Sequence, residues 1–438
     1  MDFTPTPEQT AARELAAEIF GDLSTPERLA AGGSGTDAAL WKALCATGLP
    51  GAAEETGLLG LVLMLEEQGR TTAQVPFAAT CVYGLLAIGA HGSAEQRARL
   101  LPPLRTGEAV ATGAFPARRG GVRAEGPAGG AAKPTADPAG GTLKPTAGPT
   151  ANGAAAGTAN GTANGTANGT ANGTANGTAN GTGRLTGVVP VVPWLCAATH
   201  VLVPDGATRT LWLVRTDAPG VWRDPVETTA PWSAGRLTLD GAPAERLGPD
   251  AAAEPLAADA PAERHVPDAY ADVLALARTA FAGLQAGVAA GSLARAVAHT
   301  TTREQFGRPL STNQGVLLRA ADAHMDIEAI RVTAYEAAWR RDAGLDAGPH
   351  ALTAAWWASE AGTRVVHTGQ HLHGGIGADL DHPVHRHFLW GRQLAGYLGP
   401  GTEILEELGE LLTGQRSATT VSAKPADRPT PSPRTEAP

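Results

Sequence analysis

The sequence predicts a multi-domain α+β fold with an N-terminal helical domain, a small antiparallel β domain and a C-terminal four-helix bundle. Three observations predict it. Apolar residues first recur with a helical period of about 3.6. Short apolar runs separated by turn residues follow, and long alanine-rich helical patterns then return. A chain of 438 residues is long enough for this organisation.

Residues 1–108 form the predicted N-terminal helical domain. Pro7 opens a segment whose apolar positions keep the helical period. The apolar stretch from Phe77 to Ile88 is typical of a buried helix. Ser93 and Gln96 have the spacing of a capping box, so a further helix should begin there.

The β domain is predicted over 109–116 and 184–247, with its first strand from Ala109 to Phe115. In 184–247, runs such as Leu211-Trp212-Leu213-Val214 alternate with turn residues such as Pro204-Asp205-Gly206. This pattern predicts an antiparallel sheet.

Residues 117–183 interrupt the β domain and are expected to be a disordered insert. They consist mainly of Gly, Ala, Pro, Thr and Asn, and an Ala-Asn-Gly-Thr repeat runs from Ala159 to Thr182. A four-residue unit without large apolar side chains has no face to bury. Residues 248–266 are predicted to be a linker.

The last domain, 267–412, should be a bundle of four antiparallel helices. The helical patterns run over Ala271–Thr300, Val316–Arg341, Ala351–His371 and Pro383–Leu412. The tail, 413–438, is rich in Pro, Ser and Thr and is expected to be disordered.

Charge and composition narrow the function classes. The formal net charge of -9 argues against nucleic acid or an anionic membrane as the main partner. The N-terminus has no basic segment followed by an apolar one, so a cytoplasmic protein without a signal peptide is expected. The three cysteines are far apart and form no CxxC pair, which favours reduced thiols.

Two segments between bundle helices carry most of the chemistry. The first is Arg303-Glu304-Gln305-Phe306-Gly307-Arg308-Pro309-Leu310, followed by Gln314. The second is His371-Leu372-His373-Gly374-Gly375-Ile376-Gly377, with Pro and Arg shortly after. A guanidinium at a helix junction can pair with a pyrophosphate, two adjacent glycines let backbone N–H groups approach phosphate, and a phenylalanine offers a flat apolar face.

In these segments the sequence resembles the acyl-CoA dehydrogenase family, whose bundle carries Arg-x-x-Phe-Gly-x-Pro-Leu and His-Gly-Gly-x-Gly. The N-terminal half agrees, since Leu-Glu-Glu-Gln-Gly-Arg at 65–70 and Leu-Pro-Pro-Leu-Arg-Thr-Gly-Glu at 101–108 are similar to two further family segments. The resemblance implies the acyl-CoA dehydrogenase fold, FAD as cofactor and an acyl-CoA substrate.

In that family the bundle segments bind FAD across a subunit interface. The resemblance therefore implies cofactor contacts from Arg303, Phe306, Gln314, His371, Gly374, Gly375 and Thr402. His371 stands where the family has Gln. It also implies an oligomer with another acyl-CoA dehydrogenase subunit, and electron-transfer flavoprotein or a similar protein as acceptor.

The family's catalytic base has no counterpart here, so no catalytic residue is assigned. Its Tyr-Glu-Gly-Thr segment aligns so that Leu398 or Pro400 takes the place of Glu, and the alternative position on the first bundle helix is Ala277. None of these side chains can accept a proton. The stretch that lines the flavin ring in the family falls near 191–193, with Trp194 shifted.

Three hypotheses remain open. The chain is a subunit without a catalytic base in a heteromeric acyl-CoA dehydrogenase, resembling actinobacterial steroid side-chain enzymes. Alternatively, it is an active homomeric dehydrogenase with an unusual base such as Glu403, or a flavin-free scaffold that binds acyl thioesters.

A metal site is the remaining possibility for the histidine-rich segment from 371 to 387. The spacing of its five histidines fits no standard zinc pattern, and no metal is expected.

Overall fold

A computed structural model describes residues 3–31, 33, 35–118, 121–125, 181–248 and 268–414. Most of the predicted insert and linker, and the tail from 415, lie outside the described residues. Within them the predicted fold class is confirmed: helices come first, a small sheet follows, and a helical bundle ends the chain.

The N-terminal helices begin as predicted at Pro7 and at the capping box of Ser93 and Gln96, in which each residue hydrogen-bonds the other's backbone N–H. The predicted buried helix from Phe77 is present and contains a π-helical turn. The elements are α1 (Pro7–Leu23), α2 (Pro26–Ala31), α3 (Ala38–Ala46), α4 (Leu49–Thr71), α5 (Phe77–Ala79), the π-helix Thr80–Leu86, α6 (Ala87–His91) and α7 (Ala94–Thr106).

Seven of the described strands form one sheet in the order β1-β4-β5-β7-β3-β2, with β6 also paired to β7. All pairs are antiparallel except β1 with β4, which is parallel because the long crossover returns the chain in the same direction. The strands are β1 (Ala111–Gly113), β2 (Arg123–Glu125), β3 (Thr182–Val192), β4 (His200–Pro204), β5 (Leu211–Arg215), β6 (Val221–Pro225) and β7 (Gly235–Arg246).

Strand β2 corrects the prediction of a disordered insert from residue 117. Arg123–Glu125 pair with β3, and the Asp205 carboxylate accepts the Ala124 N–H at 2.6 Å. The sequence around this strand is of low complexity and did not predict it. Its pairing partners lie some sixty residues further along the chain, so no local pattern indicates the pairing.

The bundle has the predicted first three helices, each slightly longer than expected. The fourth is wrong as a single helix: Leu398, Gly399 and Pro400 separate α11 from α12, since proline cannot continue a helix and Gly399 has a φ of 120°. The elements are α8 (Ala269–Thr302), α9 (Gln314–Asp342), α10 (Gly348–His373), α11 (Pro383–Tyr397) and α12 (Gly401–Thr413).

Helix α8 lies at the centre, between α4, α9 and α10. Glycines bring α4 and α8 into backbone contact: a Cβ on Gly69 would collide with the Leu284 carbonyl, and one on Gly287 with the Glu66 carbonyl. Helix α8 has the length and hydropathy of a membrane span, but 94% of its most apolar window is buried in the protein. It is therefore a core helix.

Candidate functional site

The first predicted segment forms a hairpin after α8, made of β8 (Glu304–Gln305) and β9 (Arg308–Pro309). The Arg303 N–H donates to the His299 carbonyl, and the Leu310 N–H donates to the Arg303 carbonyl at 2.9 Å. Phe306 at the tip is 96% exposed with a φ of 54°. This backbone conformation is strained for a bulky residue, and the hairpin holds the ring in solvent.

The second segment ends α10. Gly374 has a φ of 66° and a ψ of -142°, a conformation that favours glycine. A Cβ on Gly374 or Gly375 would meet no atom within 4 Å, so both backbones are open to a ligand. His371 lies exposed in the last turn of α10.

The two segments meet at one end of the bundle. Helices α8 and α10 both end there, and the rings of His299 and His373 stack with centroids 4.8 Å apart. Gln314 begins α9 beside them. The structure thus brings together six of the predicted residues. We call them the exposed end: Arg303, Phe306, Gln314, His371, Gly374 and Gly375.

Large apolar side chains accompany the exposed end. Leu317 and Leu318 in the first turn of α9 are 56% and 57% exposed, and Leu380 after the glycine turn is 76% exposed. Apolar groups clustered in this way are typical of a surface that binds another protein.

Thr402 is not brought to the exposed end. It lies in the first turn of α12, where a Cβ on neighbouring Gly401 would touch the Glu360 carboxylate. Glu360 precedes His373 on α10 by about 20 Å of helix. Thr402 therefore lies far from the exposed end within this chain.

A second region lies between the sheet and the bundle. Trp194 stacks on Trp232 at 4.6 Å, and Trp232 meets Tyr397 edge-on at 6.2 Å. Tyr397 also packs on Phe281 at 4.8 Å, and its hydroxyl hydrogen-bonds that of Tyr83 at 2.9 Å. We call these five residues the closed cleft. Burial raises the pKa of both tyrosines, so they stay neutral near pH 7.

Space beside the closed cleft is limited. A cavity of about 320 Å³ remains, bounded by Pro116, Val191, Gln393 and Tyr397 among others, and none of the described residues lining it is Asp or Glu. The indole N–H groups of Trp194 and Trp232 have no acceptor among the described residues. These two indole nitrogens are buried and do not line the cavity, which has no carboxylate among its described lining residues.

The positions considered for a base lie elsewhere or are inert. Leu398 is 5% exposed and Ala277 is fully buried. Pro400 precedes the first turn of α12. Glu403 is exposed in that turn and does not line the cavity.

Four contributors to this region were not predicted from the sequence: Tyr83, Trp232, Phe281 and Gln393. Trp232 comes from the loop before β7, and Gln393 accepts from the Thr229 backbone and hydroxyl at 3.1 and 2.8 Å, which ties α11 to that loop. A tryptophan inside the turn-like stretch Pro231-Trp232-Ser233 was the available signal.

One of the five histidines of the 371–387 segment, His387, serves packing. His387 is 1% exposed, and its Nε2 donates to the Arg70 carbonyl at 3.0 Å. Burial lowers the pKa of His387 to about 4, so it is neutral near pH 7. In the described ranges, no group of three or more His, Cys, Asp or Glu side chains is placed to hold a metal.

Comparison with known families matches two sequence models, "Acyl-CoA dehydrogenase, N-terminal domain" at 6–108 and "Acyl-CoA dehydrogenase, C-terminal domain" at 268–408. Acyl-CoA dehydrogenase FadE27 of Mycobacterium tuberculosis is 36% identical over 241 residues, which are 52% of this chain and 60% of that protein. The match thus spans less than two thirds of this relative's length.

Solved structures are similar over nearly the whole chain. The Tcur3481-Tcur3483 steroid ACAD is 36% identical with a TM-score of 0.73, covering 93% of this chain and 98% of that one. The ChsE4-ChsE5 complex from Mycobacterium tuberculosis is 28% identical, also with a TM-score of 0.73, covering 94% and 99%.

Proposed function

Because the chain belongs to the acyl-CoA dehydrogenase family, whose members are oxidoreductases acting on CH–CH bonds, we propose that it is a subunit without a catalytic base in a heteromeric, FAD-dependent acyl-CoA dehydrogenase. In this proposal the partner subunit removes the proton, and this chain completes the flavin site through its exposed end.

One observation carries the proposal: the absence of Asp and Glu among the described residues that line the cavity at Tyr397. Dehydrogenation of an acyl thioester begins with removal of the proton next to the carbonyl. The base must be within hydrogen-bond reach of that proton, about 3 Å. Neither Leu398 nor the tyrosine beside it, whose pKa burial raises, can take this role.

The exposed end fits a dinucleotide cofactor. Arg303 has no ion pair to a described residue and presents its guanidinium to solvent, where it would pair with a pyrophosphate. The open backbones of Gly374 and Gly375 would let N–H groups approach the same phosphates, and Phe306 would cover a ring. FAD, when bound, accepts the hydride from the β carbon.

The likeness to the ChsE4-ChsE5 complex and to a steroid ACAD supports a heteromer and suggests an acyl-CoA with a steroid-derived acyl group. Electron-transfer flavoprotein or a similar protein would reoxidise the flavin. We expect the assembly to act in the cytoplasm.

Co-expression tests the proposal. The chain is produced with and without an acyl-CoA dehydrogenase subunit that keeps its carboxylate base, and bound flavin is measured by absorbance. We expect little flavin on the chain alone and about one flavin per two chains in the complex. Dehydrogenation by a homo-oligomer of this chain would contradict the proposal, and a colourless, flavin-free complex would favour a scaffold.

The homomeric alternative needs an unusual base in this chain, and Glu403 is the candidate for it. Glu403→Gln in the complex should leave turnover unchanged, because this exposed side chain does not line the cavity. Loss of turnover with normal flavin content would support the alternative.

A further inference from the structure

A cavity of about 210 Å³ lies on another side of the bundle, away from the closed cleft. Its walls come from α2, α8, the turn after α4, the start of α11 and the residues just before α11. They include Leu29, Thr72, Arg295, Leu380 and Arg386. Arg295 precedes Arg303 by about 12 Å along α8. The cavity adjoins the exposed end through Leu380 and His382, but its two arginines are not among the groups assigned to the dinucleotide.

Arg295 is half-buried and makes no hydrogen bond or ion pair with a described residue. Glu27 attracts it only from beyond contact distance, and burial lowers the pKa of Arg295. A guanidinium removed from water without a partner is unfavourable. Its position is explained if an anion enters the cavity.

Arg386 is oriented by neutral groups only. It donates to the Gln74 amide oxygen at 2.9 Å and to the Thr72 hydroxyl at 3.4 Å, and burial lowers its pKa to about 10. The amide nitrogen of Gln74 donates in turn to the carbonyls of Gly33 and Gly35. These bonds hold the guanidinium in place without neutralising its charge.

The other titratable groups at the cavity do not compensate both arginines. His382 and His387 line it, and burial lowers the pKa of each, so both are neutral near pH 7. Asp381 is exposed at the rim and forms no ion pair within the described ranges. Two cations therefore line the cavity with one exposed carboxylate at its rim, and Glu27 attracts Arg295 only from beyond contact distance.

We propose that this cavity binds the phosphoryl group of a small molecule or free phosphate. Two guanidiniums without carboxylate partners suit a tetrahedral oxyanion. The volume lies below the roughly 300 Å³ of drug-sized sites, so only the phosphoryl end of a larger molecule fits. The proposal is independent of the flavin assignment.

The test is calorimetric titration of the full-length chain in chloride at constant ionic strength. The probes are inorganic phosphate, CoA and CoA without its 3′-phosphate. Arg295→Gln should weaken phosphate binding about tenfold, and Arg236→Gln, an exposed position on β7, should leave it unchanged. Tighter binding of CoA than of its dephosphorylated form would identify the coenzyme as the source.

Absence of phosphate binding, or equal binding by wild type and Arg295→Gln, would overturn the proposal. A loss of assembly with the partner subunit in Arg295→Gln, without phosphate binding by wild type, would also overturn it and would point to a partner carboxylate. If the variant does not fold, phosphate should protect Arg295 and Arg386 of the wild type from phenylglyoxal, mapped by mass spectrometry. Unprotected arginines would refute the site.

Discussion

The closed cleft and the exposed end differ in the solvent exposure of their aromatic side chains. In the cleft, Trp194 and Trp232 stack on one another and are nearly inaccessible to solvent. At the exposed end, Phe306 is 96% exposed and Arg303 faces water. The side chains of this protein therefore fill the closed cleft, whereas those of the exposed end contact solvent.

This difference separates stability from function along the chain. The cleft buries apolar side chains and contains a pair of hydrogen-bonded hydroxyl groups. Both features contribute to the free energy of folding. The exposed end contributes little to the fold of this chain alone, and in the proposed heteromer it would contribute to binding. Variants in the two regions should therefore change different measurements.

The largest effect is expected from Trp232→Ala in the closed cleft. Removal of a buried indole should lower the free energy of unfolding by about 3–5 kcal/mol, measured by denaturant titration. Trp222→Ala, at a half-exposed site on β6, should cost less than about 1 kcal/mol. Loss of flavin from the complex without loss of stability would assign Trp232 to the flavin site instead.

Acid should act on the histidines beneath the exposed end. Burial lowers the pKa of His387 from 6.5 to about 4 and also lowers that of His373. The unfolded chain binds these protons at higher pH, so stability is fully present above about pH 6.5 and is lost as the pH falls toward about 4. His387 alone accounts for up to about 3 kcal/mol.

Denaturant titrations between about pH 7.5 and 4.5 measure this slope. His387→Gln should flatten it, whereas His324→Gln, at an exposed position on α9, should not. Hydrogen exchange should rise near the start of α11 before it rises around Tyr83, since the cleft carries no group that titrates in this range. A simultaneous rise would mean that the two regions open as one unit.

Arg303→Gln should change flavin binding and leave folding unchanged. Loss of a charge-assisted pair with phosphate, about 1.5–3 kcal/mol, predicts a roughly 10- to 100-fold weaker affinity of the co-expressed complex for flavin. Arg308→Gln on the same hairpin is the control. Equal effects of both variants would show that Arg303 acts only through its positive charge and not through a specific pair with phosphate.

The smallest effect is expected from the hydroxyl pair of the cleft. Tyr83→Phe or Tyr397→Phe leaves one buried hydroxyl without its partner and should cost about 1–2 kcal/mol of stability. The double variant should cost less than the sum, because neither hydroxyl is then left unpaired. Additive losses would show that the 2.9 Å hydrogen bond contributes little.

The sequence was sufficient for elements whose signals are local. The caps of α1 and α7, the long helix α8 and the glycine turn after α10 follow from residues within a few positions of each other. It was also sufficient to place Arg303 and Gly374 at helix ends. Thr402 lies apart from these residues, because similarity to a cofactor segment does not say which end of the bundle it occupies; its contact with a cofactor stays a prediction.

The closed cleft could not be predicted in this way. Trp194 and Trp232 meet through sheet packing, and Tyr83 and Tyr397 are 314 residues apart. The strand β2 was missed for the same reason. Contacts of this kind depend on register and layer order, which composition and periodicity do not specify.

The apolar side chains around the exposed end have a consequence for the abundance of this protein in the cell. If the proposed heteromer forms, a chain that displays Phe306, Leu318 and Leu380 to water would self-associate when its partner is scarce. If the two subunits are made in unequal amounts, the surplus of this chain should be removed by chaperones and proteases. Its abundance would then follow that of its partner more closely than its own rate of synthesis.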